Sequence, residues 1–135
     1  MRGISFNFIS KLFSRIGPKQ DDDFVFGLMR SADLYDLQHY ANCLRFCGTD
    51  YGIIFFIDSG KRVASFRHIR DGSLLRLETA LDCVEGINER LGEFLCEVYR
   101  KLCVDDPASA RRWASQLRSS RDAVRMIENK TKVTG

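Results

Sequence analysis

Apolar residues recur at helical spacing towards both ends of this 135-residue chain and gather into short runs in its middle. Between residues 4 and 16, Ile4, Phe6, Phe8, Ile9, Leu12, Phe13 and Ile16 fall within about 200° of arc at 100° per residue. Asn7, Ser10, Lys11, Ser14 and Arg15 take most of the remainder. The spacing predicts a short amphipathic helix, stopped by Gly17-Pro18. Lys19-Gln20-Asp21-Asp22-Asp23 reads as a polar linker, and its aspartates favour a helix start just after them. Phe24 to Met29 fits either a helical turn or a short strand. Ser31 is a candidate N-cap for a helix through about Phe46, with Gly48 as its stop. Leu34, Leu37, Ala41 and Leu44 would share one face of that helix, with Tyr40 beside them.

The pattern then changes period. Ile53-Ile54-Phe55-Phe56-Ile57 is a short β-rich run, and Ser59-Gly60 suits a two-residue turn. A β-hairpin over about 51–69 follows, with Asp58 opposite Lys61, Phe56 opposite Val63 and Phe55 opposite Ala64. Its first strand is apolar on both faces, so something must cover both. Its second strand is more polar and is expected nearer an edge. Beyond Arg70-Asp71-Gly72, Leu77, Leu81, Val84, Asn88, Leu91, Leu95, Val98 and Leu102 are spaced 4-3-4-3-4-3-4. That seam predicts a long helix over about 74–103, whose 77–102 stretch is about 39 Å long if unbroken, with a kink allowed at Gly86 or Gly92. Asp105-Asp106-Pro107 ends it and starts the next helix, with Asp as N-cap and Pro in the first turn. The final helix, to about Glu128, carries an apolar stripe of Ala110, Trp113, Leu117, Val124 and Ile127.

The expected fold is α+β, mostly helical, with one hairpin packed against a long helix and flanking helices. Residues 1–20 form a basic amphipathic segment, 21–129 a single domain, and 130–135 a frayed tail.

Charge adds what periodicity does not show. Residues 1–20 carry a net +4 and no acid, residues 21–105 a net −5, and residues 106–135 a net +4. The total of +3 therefore hides two basic ends around an acidic middle. Fifteen of the twenty-one basic residues are arginine, the side chain best shaped for planar contact with phosphate or carboxylate. In the last helix Arg111, Arg118, Arg121 and Arg125 project within roughly 80° of one another. Four guanidinium groups on one edge could track a phosphate backbone, and a solvated basic face is the plainer alternative.

Residues 4–16 leave three readings open. Their apolar face packs on the core or on a partner, lies on an anionic membrane surface, or serves organelle import. Phe8, Ile9, Lys11, Leu12, Phe13, Arg15 and Ile16 carry the membrane and partner readings. The 77–102 seam divides between internal packing and a dimer interface with Asn88 setting register.

Catalysis finds little footing, since no Gly-rich phosphate loop, HExxH or GxSxG occurs. His39, Cys43 and Cys47 lie four residues apart in turn, and the outer two are about 12 Å apart along a helix, too far to share one ion. Glu85 and Glu89 fit an acidic helix surface. Five cysteines without a secretory signal read as reduced and intracellular, cytoplasmic or nuclear. No stretch of about 20 apolar residues is present to span a bilayer.

These observations lead to a small non-enzymatic binding protein that holds nucleic acid on its basic last helix, as a homodimer. The alternatives are an adaptor at a membrane surface or a protein partner, working through residues 4–16, and, last, a small enzyme. No cofactor, metal or small-molecule substrate is expected.

Overall fold

Pro18 opens a helix where a break was expected. The structure, a computed structural model, describes residues 18–134, with side chains for residues 21–120; the predicted 4–16 helix lies outside the described residues. Proline's fixed φ and missing N–H suit the first helical turn, so α1 is Pro18–Ser31 and absorbs the supposed linker 19–23. Asp21 sits in its first turn, where the helix dipole favours negative charge. Ser31 caps nothing: it closes α1, its hydroxyl donating back to the Gly27 carbonyl at 2.7 Å. The cap of α2 (Leu34–Phe46) is Asp33, whose carboxylate accepts from the Asp36 N–H at 2.8 Å.

The hairpin forms in the expected register. β1 (Tyr51–Asp58) and β2 (Lys61–His68) pair Asp58 with Lys61, Phe56 with Val63 and Phe55 with Ala64. Both turn residues have positive φ, 52° at Ser59 and 75° at Gly60, which matches the turn to the twist of its strands.

The long helix begins later than the seam implied. Gly72–Ala80 is a third strand, β3, and the helix α3 is Ile87–Asp105. The sheet order is β1-β2-β3, all antiparallel, so β2 is the central strand and not an edge. The reason is burial: Val63, Ala64, Ser65 and Phe66 are all within 5% of full burial, and such a strand needs hydrogen-bonded neighbours on both sides. Leu75-Arg76-Leu77-Glu78-Thr79 alternates with period two. Its outward members pair across strands, Arg76 with Asp58 at 2.9 Å and Glu78 with Lys61 at 3.4 Å.

The seam is therefore not one helical stripe. Leu77 lies on β3, Leu81 and Val84 are exposed on the connection before α3, and Asn88 is exposed. Leu91, Leu95, Val98 and Leu102 are buried in this chain's own core, so they are not a free dimer face.

Helix α4 is Pro107–Thr134 and runs past Glu128. Asp106 stands before it as expected, accepting from the Ser109 N–H at 3.3 Å and hydroxyl at 2.8 Å. Among the described residues the fold is thus α+β: four helices and one three-stranded sheet. One sheet face, with Ile53, Phe66, Phe55 and Ala64, packs against the helices around Leu95, Tyr99, Leu102 and Trp113. The Trp113 indole N–H donates to the Tyr40 carbonyl at 2.9 Å and ties α4 to α2. No described helix is long and apolar enough to cross a membrane.

Glycine decides one packing contact. A Cβ on Gly92 would lie 2.7 Å from the Met29 carbonyl oxygen, so α1 and α3 approach here only because position 92 has no side chain. Gly86, at φ 73°, is the residue from which α3 starts.

Candidate binding cleft

The first residues of helices α2 and α3 face the end of the sheet that carries the Ser59-Gly60 turn. The core face of the sheet is left partly uncovered there, as a cleft of about 490 Å³. Leu34 and Gln38 line it from α2, and Ile87 and Leu91 from α3. Phe55 and Ile57 of β1, Arg62 and Ala64 of β2, and Leu77 and Thr79 of β3 complete it from the sheet. Space exists because small side chains hold two inner positions: Ala64 lies between Phe55 and Leu77, and Thr79 lies across from Arg62. Ala64 and Thr79 are 5% and 4% exposed.

The volume falls in the range of sites that accept a ligand or side chains from a partner, and the lining is mainly apolar with a few polar groups. Large apolar side chains facing water belong to the lining or stand close to it in the chain. Ile57 is 68% exposed, and Tyr35, next to Leu34, is 80% exposed. Leu81 and Val84, on the connection from Thr79 to Ile87, are 40% and 63% exposed. Clustered exposed apolar surface of this kind marks interaction sites.

Both signs of charge stand near the cleft in the chain: Asp33 and Asp36 at the start of α2, Asp82 and Glu85 on the connection, Glu89 and Arg90 in the first turn of α3, and Arg62 in the lining itself. Asp36 and Glu89 are each two residues from both lining residues of their helix and so project to its opposite side. None of these seven residues takes part in an ion pair among the described residues. Glu85 precedes α3, so Glu85 and Glu89 do not form a pair on one helix.

The other candidate residues are not brought together. Arg111 is exposed beside Arg112, Ser115 and Gln116, over a shallow depression that includes Cys47. Arg112 donates to the Gly48 carbonyl at 2.7 Å. Arg118 pairs with Asp21 at 3.3 Å, and its guanidinium lies 4.2 Å from the centre of the Phe24 ring, so it anchors α4 to α1. The side chains of Arg121 and Arg125 lie outside the described residues, as do Phe8, Ile9, Lys11, Leu12, Phe13, Arg15 and Ile16.

His39 Nε2 is 2.9 Å from the Ser120 hydroxyl and 4.0 Å from Cys43 Sγ, while the Cys47 thiol donates to the Leu44 carbonyl at 3.3 Å. Among the described residues no three His, Cys, Asp or Glu side chains converge as metal ligands would. Burial pushes the Cys43, Cys47 and Cys96 thiols up, and Cys103 up to about 11, so these four are protonated at neutral pH. His68 sits at the end of β2 away from the turn, its Nδ1 accepting from the Arg70 N–H at 3.2 Å.

The cleft residues Ile57, Ala64, Thr79 and Ile87 were not singled out from the sequence. Their one signal was β1, apolar on both faces and needing a cover on each. No protein-family model, curated protein or solved structure matches the chain.

Proposed function

We propose that this protein is a non-enzymatic binding module whose cleft receives an amphipathic helix from a protein partner. The observation that carries this is the cleft itself: mainly apolar inside, with Ile57 of its lining open to water. An apolar groove takes the apolar face of such a helix and leaves its polar edge in solvent.

A fluorescent model helix built from Leu and Lys tests the reading by anisotropy. The parent binds it, and Ile57→Glu weakens binding at least about tenfold, the scale expected from losing one well-placed apolar contact and inserting a charge. Because Ile57 is 68% exposed, the melting temperature of the variant stays near that of the parent. A parent that ignores the peptide, or a variant that binds equally well, contradicts the reading.

A second reading keeps the last helix as a polyanion-binding surface, supported by Arg111 and Arg112 exposed side by side near Ser115 and Gln116. Binding to an RNA or DNA duplex would then fall steeply with salt, and Arg111→Glu/Arg112→Glu would reduce both the affinity and the salt slope. Salt-independent binding, or an unaffected variant, rejects it.

A further inference from the structure

At the end of the sheet away from the Ser59-Gly60 turn, unpaired positive charge stands beside a bare aromatic ring. Two depressions meet there at the loop from α2 to β1. The shallow one beside α4, about 430 Å³, is lined by Cys47, Arg111 and Arg112. The other, about 520 Å³, is lined by Arg45, Thr49, Asp50, Arg67 and His68 with the start of β1. Only Gly48 separates Cys47 from Thr49, and its carbonyl accepts from the Arg112 guanidinium at 2.7 Å.

Gly52 opens the second depression. It is the cross-strand partner of Arg67, and a Cβ in its place would lie 3.9 Å from Arg45 Cβ. The two arginines therefore flank a position that has no side chain. Across both depressions four guanidinium groups face one carboxylate, that of Asp50. None of the four takes part in an ion pair among the described residues. His68 is engaged by Asp71 at 3.4 Å.

Phe46 stands between the depressions. Successive residues of a helix point about 100° apart, so this ring, at the end of α2, emerges between Arg45 on one side and Cys47 on the other. It is 78% exposed, with the Arg45 guanidinium 5.7 Å from its centre. Basic grooves track a phosphate chain, and an exposed aromatic ring takes the face of an unpaired base. A duplex keeps its bases stacked on one another and offers Phe46 no such face. Resting on the polyanion reading of the last helix, we propose that a single strand of nucleic acid runs from the Arg111–Arg112 depression over Phe46 into the Arg45–Arg67 depression. Its phosphates lie along the four arginines and one base stacks on the ring.

Fluorescence anisotropy of full-length protein tests this with labelled oligo-dT and oligo-U of about twelve nucleotides and a duplex of the same length, each over a range of salt. The single strands bind more tightly than the duplex, and their affinity falls as salt rises. Phe46→Ala weakens single-strand binding at least about fivefold, the low end of base stacking, and leaves the salt slope unchanged. Arg45→Gln/Arg67→Gln lowers the slope by about 1.4, because two fewer phosphates are neutralised. All three residues are exposed, so the melting temperatures of these variants stay near that of the parent. Whichever of oligo-dT and oligo-U binds more tightly identifies the sugar. Equal binding of duplex and single strand, displacement of the strand by an equal charge of poly-glutamate, or either variant binding as the parent does overturns the path. Arg111→Glu/Arg112→Glu separates this result from the fate of the last helix. If that variant alone loses affinity, the polyanion surface stands on α4 and the path over Phe46 falls; if the parent binds no nucleic acid even at low salt, both readings fall.

Discussion

Trp113→Ala is expected to remove a large share of the fold's stability and to lower its urea midpoint well below the parent's. Trp113 is fully buried at the junction of α2, α3 and α4, with its ring 6.2 Å from that of Tyr99 and its N–H on the Tyr40 carbonyl. Truncating a buried tryptophan costs about 3–5 kcal/mol. Small domains have only about 5–15 kcal/mol in total. Urea unfolding followed by circular dichroism checks this, and a midpoint within experimental error of the parent's contradicts it. Trp113→Phe retains most of the volume and loses the hydrogen bond, so its loss should be nearer 1–2 kcal/mol (about the worth of one hydrogen bond plus a partial void).

Gly92→Ala and Gly27→Ala should move stability in opposite directions, although both replace a glycine inside a helix. By intrinsic propensity alone each gains about 1 kcal/mol. At Gly27 nothing lies within 4 Å of the added Cβ, so the gain is realised. At Gly92 the Cβ meets the Met29 carbonyl oxygen at 2.7 Å, and that oxygen belongs to the backbone of α1. It can be relieved only by moving two packed helices apart, a cost of about 1–3 kcal/mol that outweighs the gain. Thermal melts of the two variants should shift in opposite senses. A Gly92→Ala protein as stable as the Gly27→Ala protein would mean that the helices are not packed as described.

The sequence was most legible where pattern and turn chemistry agreed. Ser59-Gly60 between two β-rich runs specified the hairpin and its register, and Asp106-Pro107 marked a helix start with two independent signals. It misled where two periodicities overlapped. Leu77, Leu81 and Val84 continue the heptad spacing of α3, yet Leu75, Leu77 and Thr79 also alternate with Arg76 and Glu78. The strand period prevails because β2 is buried on both faces and demands a second hydrogen-bonded partner. That demand comes from the assembled sheet and cannot be seen in a local window. Pro18 misled for a simpler reason, since proline both ends helices and begins them, and Gly17 before it suggested an end.

The cleft was harder still to read. Its residues come from five elements, and what distinguishes Ala64 and Thr79 is only that they are small where their neighbours are large. The arginine edge shows the reverse case. Arg111, Arg118, Arg121 and Arg125 share one side of an ideal helix, but Arg118 is engaged by Asp21 and Phe24, residues 97 and 94 positions earlier in the chain. A helical projection cannot show such a partner.

The most direct test of the cleft as the binding site is a residue-resolved titration of the isotope-labelled protein with the Leu/Lys model helix. Amide shifts should move together at Ile57, Ala64, Thr79 and Ile87 and remain still at Arg111, Arg112 and Ser115. Movement confined to the last helix, with the cleft amides unchanged at saturating peptide, would contradict it.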